Sequence, residues 1–441
     1  MQRELALKTG LICLIALLLL IPLNIISGKI SERKSYLQQA ETSIAKSWTS
    51  AQQLMTPFLV QPYEIKRAIH SGDTTTDVIV VEENLFIPLD EVNVSVDINT
   101  SLRHKGIYSV PVYDATVAIN GKLTPGTLNK RREEAENQHG FFRFLKPHIT
   151  IYVSDARGIT GKPTLSWKGD NLQVSPGSGI QGPASGLQAA IEIPNEIYKP
   201  LELNLAFQLR GMSSLQIIPA STNTEITMQS NWPHPEFIGA FLPLEHGISK
   251  NGFSAQWRIN EFSSDISKKL EQCSKGRCSF ITELKTGTHF YQSVDIYLQT
   301  ERAVKYGILF IAISFAAFFL FEIIRGAPIH PIQYTFVGLA LAIFYLLLVS
   351  LSEHLSFLMA YAISTVSCLF LLTAYLGKVL TSYKASALFS FSLGALYGVL
   401  YIIIQMEDFA LLMGALMLFA ILALLMMSTR NINWYTISRK P

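Results

Sequence analysis

The sequence predicts an α+β membrane protein. Six transmembrane helices, one N-terminal and five C-terminal, accompany a large periplasmic antiparallel β-sandwich-like domain. Three observations carry the prediction. The 441 residues are 49% hydrophobic and only 16% charged, with mean hydropathy +0.28, whereas a soluble globular chain carries about 25% charged residues. The charges are unevenly placed, with 27 of the 36 Lys and Arg and 28 of the 33 Asp and Glu in residues 28–303. Inside that block apolar residues come in short alternating runs, and outside it in unbroken stretches. The low charge argues against an ordinary cytosolic enzyme and against a disordered chain. A net charge of +3 without a basic block gives no reason to expect nucleic-acid binding.

A helix crosses the hydrocarbon core with about 20 apolar residues. Residues 9–27 form the first such stretch and contain no charge. The next is 303–324, with Lys305 near one end and Glu322 near the other, followed by 332–352, 355–376, 385–406 and 409–428. The first apolar core is longer than that of a cleaved signal peptide, and no Ala-x-Ala site follows it, so it reads as a signal-anchor. Lys and Arg in short loops mark the cytoplasmic side. Six crossings put Arg3, Lys8, Arg325, Lys378, Lys384, Arg430, Arg439 and Lys440 on one side, while Lys29, Arg33 and Lys34 run against the bias. Both termini are therefore expected in the cytoplasm. The expected domains are residues 1–29 (signal-anchor), 30–302 (periplasmic), 303–428 (five-helix membrane domain) and 429–441 (cytoplasmic tail). Trp434 and Tyr435 stand at interface depth after the last span. His330-Pro331 opens the third span, where proline is tolerated.

The external block opens with a helix over residues 31–55. Leu37, Ala40, Ile44, Trp48, Ala51 and Met55 recur at spacings of three and four, and the helix is expected to continue from the first span. The pattern then changes to period two, with strands expected near 78–81, 92–98, 110–119, 149–153, 172–174, 189–193, 201–209, 215–218, 225–228 and 253–259. Asn120-Gly121 is the strongest hairpin signal, with further turns at Lys168-Gly169-Asp170 and Asn251-Gly252. Residues 131–139 are strongly charged and read as a short helix or an exposed loop.

Few motifs carry chemistry. Gly177 to Gly182 matches GxGxxG, but Pro183-Ala184-Ser185-Gly186 follows where a dinucleotide site needs a helix, so it reads as a turn and no cofactor is expected. Asp155 and Arg157, in Ser154-Asp155-Ala156-Arg157-Gly158, suit either a structural corner or a catalytic Asp, with the corner favoured. His234 sits between Pro233 and Pro235 after Trp232. That stiff segment suits ligand recognition or, by preference, a rigid connection with Trp232 in the core. Glu353-His354 lies between two spans and suits a proton relay or, by preference, a helix cap. Glu322 is expected to pair with Arg325 one turn away. Cys273 and Cys278, with the four residues Ser-Lys-Gly-Arg between them, are a candidate disulfide at a hairpin tip; a metal site there lacks two further ligands at finger spacing. There is no GxSxG, HExxH or Walker loop, and no catalytic residue is assigned.

Several of these segments together resemble the CreD family. The resemblance rests on Ser154-Asp155-Ala156-Arg157-Gly158-Ile159, Ser230-Asn231-Trp232-Pro233-His234-Pro235 with Phe237 and Gly239, and Arg302-Ala303-Val304-Lys305-Tyr306. It continues in His330-Pro331-Ile332-Gln333-Tyr334, in Tyr345-Leu346-Leu347-Leu348 through Ser352-Glu353-His354, and in Thr429-Arg430-Asn431-Ile432-Asn433-Trp434-Tyr435. The Cys273–Cys278 pair lies outside that pattern. The resemblance implies a Gram-negative inner-membrane protein associated with a two-component regulon of the same name, with envelope stress, and with tolerance to some toxins and β-lactams. It implies no catalytic residues. The function expected is therefore a non-enzymatic envelope protein whose periplasmic domain binds a ligand or a periplasmic or inner-membrane protein partner. The alternatives are a transporter or lipid-handling protein built on the five C-terminal spans, with Glu353, His354, Gln405 or Tyr345 lining a water-filled cavity, and a sensor relying on a partner kinase. Oligomeric state is not legible.

Overall fold

The computed structural model describes residues 2–70, 76–138, 142–180, 184–193, 199–290, 296–325, 329–379, 383–406 and 410–430. Two compact units divide the chain: Met1–Gln38 with Val294–Pro441, and Gln39–Ser293. The first division falls within the helix Leu20–Ser47, which passes through residues 29 and 30 without a break. In chain order the helices are α1 (Gln2–Leu18), α2 (Leu20–Ser47), α3 (Pro125–Gln138), α4 (Glu261–Ser264), α5 (Ile266–Ser274) and α6 (Phe280–Glu283). They continue as α7 (Ile296–Lys305), α8 (Gly307–Arg325), α9 (Pro331–Ser352), α10 (Phe357–Val379), α11 (Tyr383–Gln405) and α12 (Ala410–Thr429).

The first unit is helical. α1 and α2 meet at Leu19, three residues before Pro22, because a proline ring crowds the carbonyl four residues back and offers it no N–H. Among the described residues, four segments are long and apolar enough to cross a membrane: Leu7–Ser47, Pro331–Ser352, Phe357–Val379 and Ser386–Gln405. A fifth is α7 with α8, bent by 43° between them, and Leu412–Leu424 is a shorter apolar stretch. Of the six spans expected, four meet that length and apolarity among the described residues, or five with the bent pair. The second span breaks at Tyr306, which the hydropathy of 303–324 hid. α9 opens at His330-Pro331 as anticipated, and His330 caps it. Its Nδ1 accepts from Ile332 N (3.3 Å), Gln333 Oε1 accepts from His330 N (3.0 Å), and Pro331 takes the first helical position. The helices are apolar on both faces. Phe315, Phe318, Tyr334, Phe344 and Tyr397 fill the interior, while Phe336, Phe370, Phe391 and Phe419 are exposed, the pattern of helices solvated by lipid. Packing is close, and a Cβ on Gly338 of α9 would lie 2.2 Å from Leu19.

The second unit is mainly β. Its strands are β1 (Gln52–Met55), β2 (Phe58–His70), β3 (Thr76–Lys105), β4 (Tyr108–Leu123), β5 (Phe142–Phe144), β6 (His148–Tyr152), β7 (Ile159–Trp167), β8 (Asp170–Leu172) and β9 (Ser175–Pro176). There follow β10 (Gly186–Ala190), β11 (Leu201–Met212), β12 (Ser214–Ile218), β13 (Ser221–Ser230), β14 (Pro235–Gly239), β15 (Glu245–Ser249), β16 (Gly252–Asn260) and β17 (Thr286–Phe290). The sandwich-like expectation is corrected here. One curled sheet runs β8-β7-β11-β4-β3-β2-β6-β10-β9, with β13, β16 and β15 branching from β3, and a separate sheet runs β1-β12-β17-β14. The curl follows from β3, whose 30 residues pair with β2 through Pro88 and with β4 from Glu91 onward. The partners change beside Pro88, which has no N–H to donate to a ladder. Most pairs are antiparallel, but β13 joins β3 in parallel, as β1 does β12.

Two sequence signals are overturned locally. The helix expected to reach residue 55 ends at Ser47, and Gln52–Met55 is a strand beside Leu215–Ile218. Leu54 and Met55 are both buried, so the stretch fits a strand covered on both faces rather than a helical stripe. The Asn120-Gly121 hairpin does not form; β4 runs straight through it, with Asn120 opposite Asn93 and Asn204, and Gly121 opposite Val92 and Leu203. A Cβ on Gly121 would meet Leu89 Cδ1 at 2.7 Å, so that glycine serves packing rather than a turn. The two other expected turns form: Lys168 and Gly169 take positive φ between β7 and β8, and Lys250-Asn251 link β15 to β16. Residues 125–138 form α3, which covers most of the charged segment. Positions 139, 181–183, 434 and 435 lie outside the described residues.

Candidate functional site

The residues singled out from the sequence fall into separate places, and the most elaborate is a clamp on the end of α2. A 3-10 turn at Ala156–Gly158 follows β6, capped by Asp155, whose carboxylate accepts from Arg157 N at 3.2 Å. The same carboxylate takes both arms of the Arg157 guanidinium, Nε to Oδ1 at 2.9 Å and Nη2 to Oδ2 at 2.6 Å. A fork so held is fixed in direction as well as charge. Its remaining donors reach the last carbonyls of α2, Nη1 to Lys46 O at 3.0 Å and Nη2 to Ala45 O at 3.3 Å. Helix C-terminal carbonyls lack intrahelical partners and carry partial negative charge, so a cation there satisfies both needs. The Asp155 side chain is only 13% exposed, and the hydrogen bond from Arg157 holds its carboxyl below the ordinary carboxylate range.

The rest of the clamp comes from distant strands. Trp48, just past the helix end, lies between two guanidinium groups, Arg103 at 3.8 Å and Arg210 at 4.5 Å from its ring centre, the geometry of cation–π attraction. Arg210 is itself paired with Asp114 at 2.7 Å. Ile44 packs on Val110, Val112 and Met212. Gln52 donates to the carbonyls of both Asp155 (3.0 Å) and Arg210 (2.9 Å). Gly158 is needed beneath them, since a Cβ there would lie 2.3 Å from Gln52 Nε2 and 2.4 Å from Arg210 O. Arg103 and Arg210 gave no signal in the sequence and Trp48 only that of a helical stripe, because their meeting depends on strand register.

Trp232 and His234 stand elsewhere. Trp232 is half-buried against the main β core, whereas His234 is exposed. Asn231 does the anchoring: its Oδ1 accepts from Thr100 N at 2.7 Å, and its Nδ2 donates to Thr100 O (3.1 Å) and Asn99 Oδ1 (3.0 Å). Cys273 and Cys278 are bonded. Their bridge joins the last turn of α5 to the segment before α6 rather than closing a hairpin tip, with Cys273 buried beside Ile266 and Leu270. No cluster of His, Cys, Asp and Glu suited to a metal occurs among the described residues.

In the helical unit the acids meet bases of the N-terminal helix. Glu322 accepts from the Lys8 ammonium, from Tyr334 OH (2.8 Å) and from Ile329 N (3.2 Å); the side chain of Arg325, its expected partner, lies outside the described residues. Glu353, 8% exposed, has Arg33 Nε 3.1 Å from its Oε1, an ion pair without the alignment of a hydrogen bond. Glu301 takes Lys34 and, at 2.9 Å, Lys305. Lys8 and Arg33 are about 37 Å apart along a helix, so charge pairs fasten the N-terminal helix at two well-separated points. His354 is exposed. A cavity of about 670 Å³ lies between α8, α11 and α12, lined by Phe389, Leu393, Leu396, Met413 and other apolar side chains. Tyr345, Glu353, His354 and Gln405 are not part of its lining.

The family described as "Inner membrane protein CreD" matches residues 4–435 of the chain. This protein belongs to the CreD family. The chain is 33% identical to the inner membrane protein CreD of Escherichia coli strain K12 over 430 residues, covering 96% of this chain and 92% of that one. Two crystal structures of an M1 zinc metallopeptidase from Deinococcus radiodurans, one a mutant bound to a peptide substrate, align with 39% of this CreD chain and 38% of theirs. Their TM-scores are 0.20 and 0.18 at 5% and 6% identity, too low to support any argument about fold or chemistry. In this CreD protein Asp155, Arg157, Trp232 and His234 belong to the β unit, and Glu353 and His354 to the helical unit.

Proposed function

We propose that this CreD-family protein supports cell-envelope integrity, and tolerance of envelope stress, toxins and β-lactams, by binding rather than by catalysis. The β unit, residues 30–302 in the topological reading, faces the periplasm and binds a protein partner. Six crossings place both termini in the cytoplasm, with the bent α7–α8 pair and α12 each counted as one crossing. The observation that carries the reading is α2, which belongs to the helical unit through Gln38 and to the β unit from Gln39, and whose end is gripped by Arg157, Arg103 and Arg210. Charge pairs fasten the other part of the same helix. A β unit that secures this helix end within its own framework suits a rigid surface on which to meet a partner. Two of the polar residues that a transport pathway would use are engaged elsewhere: Glu353 with Arg33, and Gln405 with Tyr401 at 3.0 Å and Gln299 at 3.3 Å.

The test replaces residues 40–292 with a flexible linker and measures survival under β-lactam and envelope stress. Loss of tolerance with the membrane portion still inserted is expected; undiminished tolerance would overturn the reading. A phosphatase reporter inserted at the Lys250 turn should be active, and one fused after residue 441 inactive.

A further inference from the structure

The core face of the large sheet runs out past its covered strands at β15. β16 buries Phe253, Ala255 and Trp257 on one face. β15 pairs with it antiparallel, His246 opposite Ala255 and Ile248 opposite Phe253. Opposed residues of an antiparallel pair stand on the same side, so His246 and Ile248 belong to the core face. Yet His246 is exposed, Ile248 is 52% exposed, and Leu244, the next alternate residue, is 65% exposed. Phe237 joins this shelf to the core, with its ring edge-on to His246 (5.4 Å), Phe253 (5.8 Å) and Trp257 (5.8 Å).

The strand edge is equally uncovered. Among the described residues β15 has β16 as its one strand neighbour. Sheets guard such edges with charged side chains, Lys above all, with Pro or with a covering element; Glu245–Ser249 has one charge at its first position and neither Lys nor Pro. Gly247 has open space where a Cβ would point, which lets another backbone come close.

We propose that β15 is a docking edge for an extended polypeptide segment of a partner. That segment adds as a strand beside Glu245–Ser249 and lays its alternate apolar side chains over Leu244, His246, Ile248 and Phe237. The open ladder selects the occupant. A polypeptide satisfies backbone donors and acceptors while its period-two side chains meet the shelf, whereas an acyl chain would cover the shelf and leave the ladder unmade. This inference rests on the reading of the β unit as a partner-binding domain and narrows it to one edge.

The probe is a fluorescein-labelled nonapeptide, Lys-Val-Thr-Val-Thr-Val-Thr-Val-Lys, titrated against the full chain in nanodiscs and followed by anisotropy. Saturable binding is expected, weakened tenfold or more by Leu244→Asp and by Ile248→Lys, both exposed positions whose variants should melt as the parent does. The peptide N-methylated at alternate residues should not bind. Absence of saturable binding overturns the proposal, as does binding indifferent to both variants. Equal binding of the N-methylated peptide overturns it in favour of ladder-free apolar docking. Cross-linking of two Ile248→Cys chains to each other gives the shelf to a second copy and also overturns it. No peptide binding together with lost tolerance in the domain-replaced chain sinks the edge alone; retained tolerance sinks the domain reading itself.

Discussion

Arg157 donates to the main-chain carbonyls of Ala45 and Lys46 while Asp155 holds the same guanidinium in a two-armed grip. The pair that the sequence offered as a structural corner, or less favourably as a catalytic Asp, thus holds a helix end. Replacing Arg157 with Lys keeps the charge and loses the planar fork. The melting temperature of the full chain in detergent should fall for Arg157→Lys and for Arg157→Ala alike. A Lys variant as stable as the parent would show that charge alone suffices.

Gly158 supplies a second test of the clamp. Gly158→Ala forces a Cβ against Gln52 and against the backbone oxygen of Arg210. Overpacking of this kind costs about 1–3 kcal/mol. Gly126→Ala, in α3 with open space around it, should be neutral or slightly stabilising. Chemical denaturation of the two variants side by side measures the difference.

The Arg33–Glu353 pair predicts a rescue. Glu353 is nearly buried and Arg33 partly exposed, so Glu353→Ala should cost about 1–3 kcal/mol, between the values for exposed and buried pairs. Arg33→Glu should destabilise as well, and Arg33→Glu combined with Glu353→Arg should recover much of the loss in a thermal-shift assay. A double variant no better than the singles would mean that the acid acts through something other than Arg33.

His148 predicts a pH dependence for the β unit. Its Nε2 is buried without a hydrogen-bond partner among the described residues, and burial pushes its pKa below the ordinary 6.5. The unfolded chain therefore takes up the proton first as pH falls. Stability is complete above about pH 6.5 and declines below it. Unfolding midpoints at pH 7.5 and 5.5 should differ for the parent, and His148→Gln should shrink the part of that difference due to this ring.

Much of the architecture was legible because it rests on local periodicity. Unbroken apolar stretches marked α9, α10 and α11 to within a few residues, and His330-Pro331 marked the start of α9. Alternation marked β4, β11, β13 and β16. What failed did so where tertiary packing outweighed a local signal. Asn120-Gly121 has the chemistry of a turn, but the apolar alternation on both sides continues into strand pairs that hold it extended, and Leu89 fills the space above the glycine. Residues 51–55 continue a helical stripe, yet burial on both faces beside β12 makes them a strand.

The sites were legible only in part, for the same reason. Asp155 and Arg157 are two residues apart, and their pairing could be foreseen. That they would seize the end of a helix more than 100 positions earlier, alongside Arg103 and Arg210, could not. The sequence by itself determined which segments are apolar enough for a membrane, which alternate as strands, and which residues are charged, since composition and period are properties of the chain. Tertiary structure alone decided which acid meets which base, how far α2 runs, and where the sheet leaves an edge uncovered. Those outcomes depend on register and on the burial of distant segments against one another, and no local pattern encodes either.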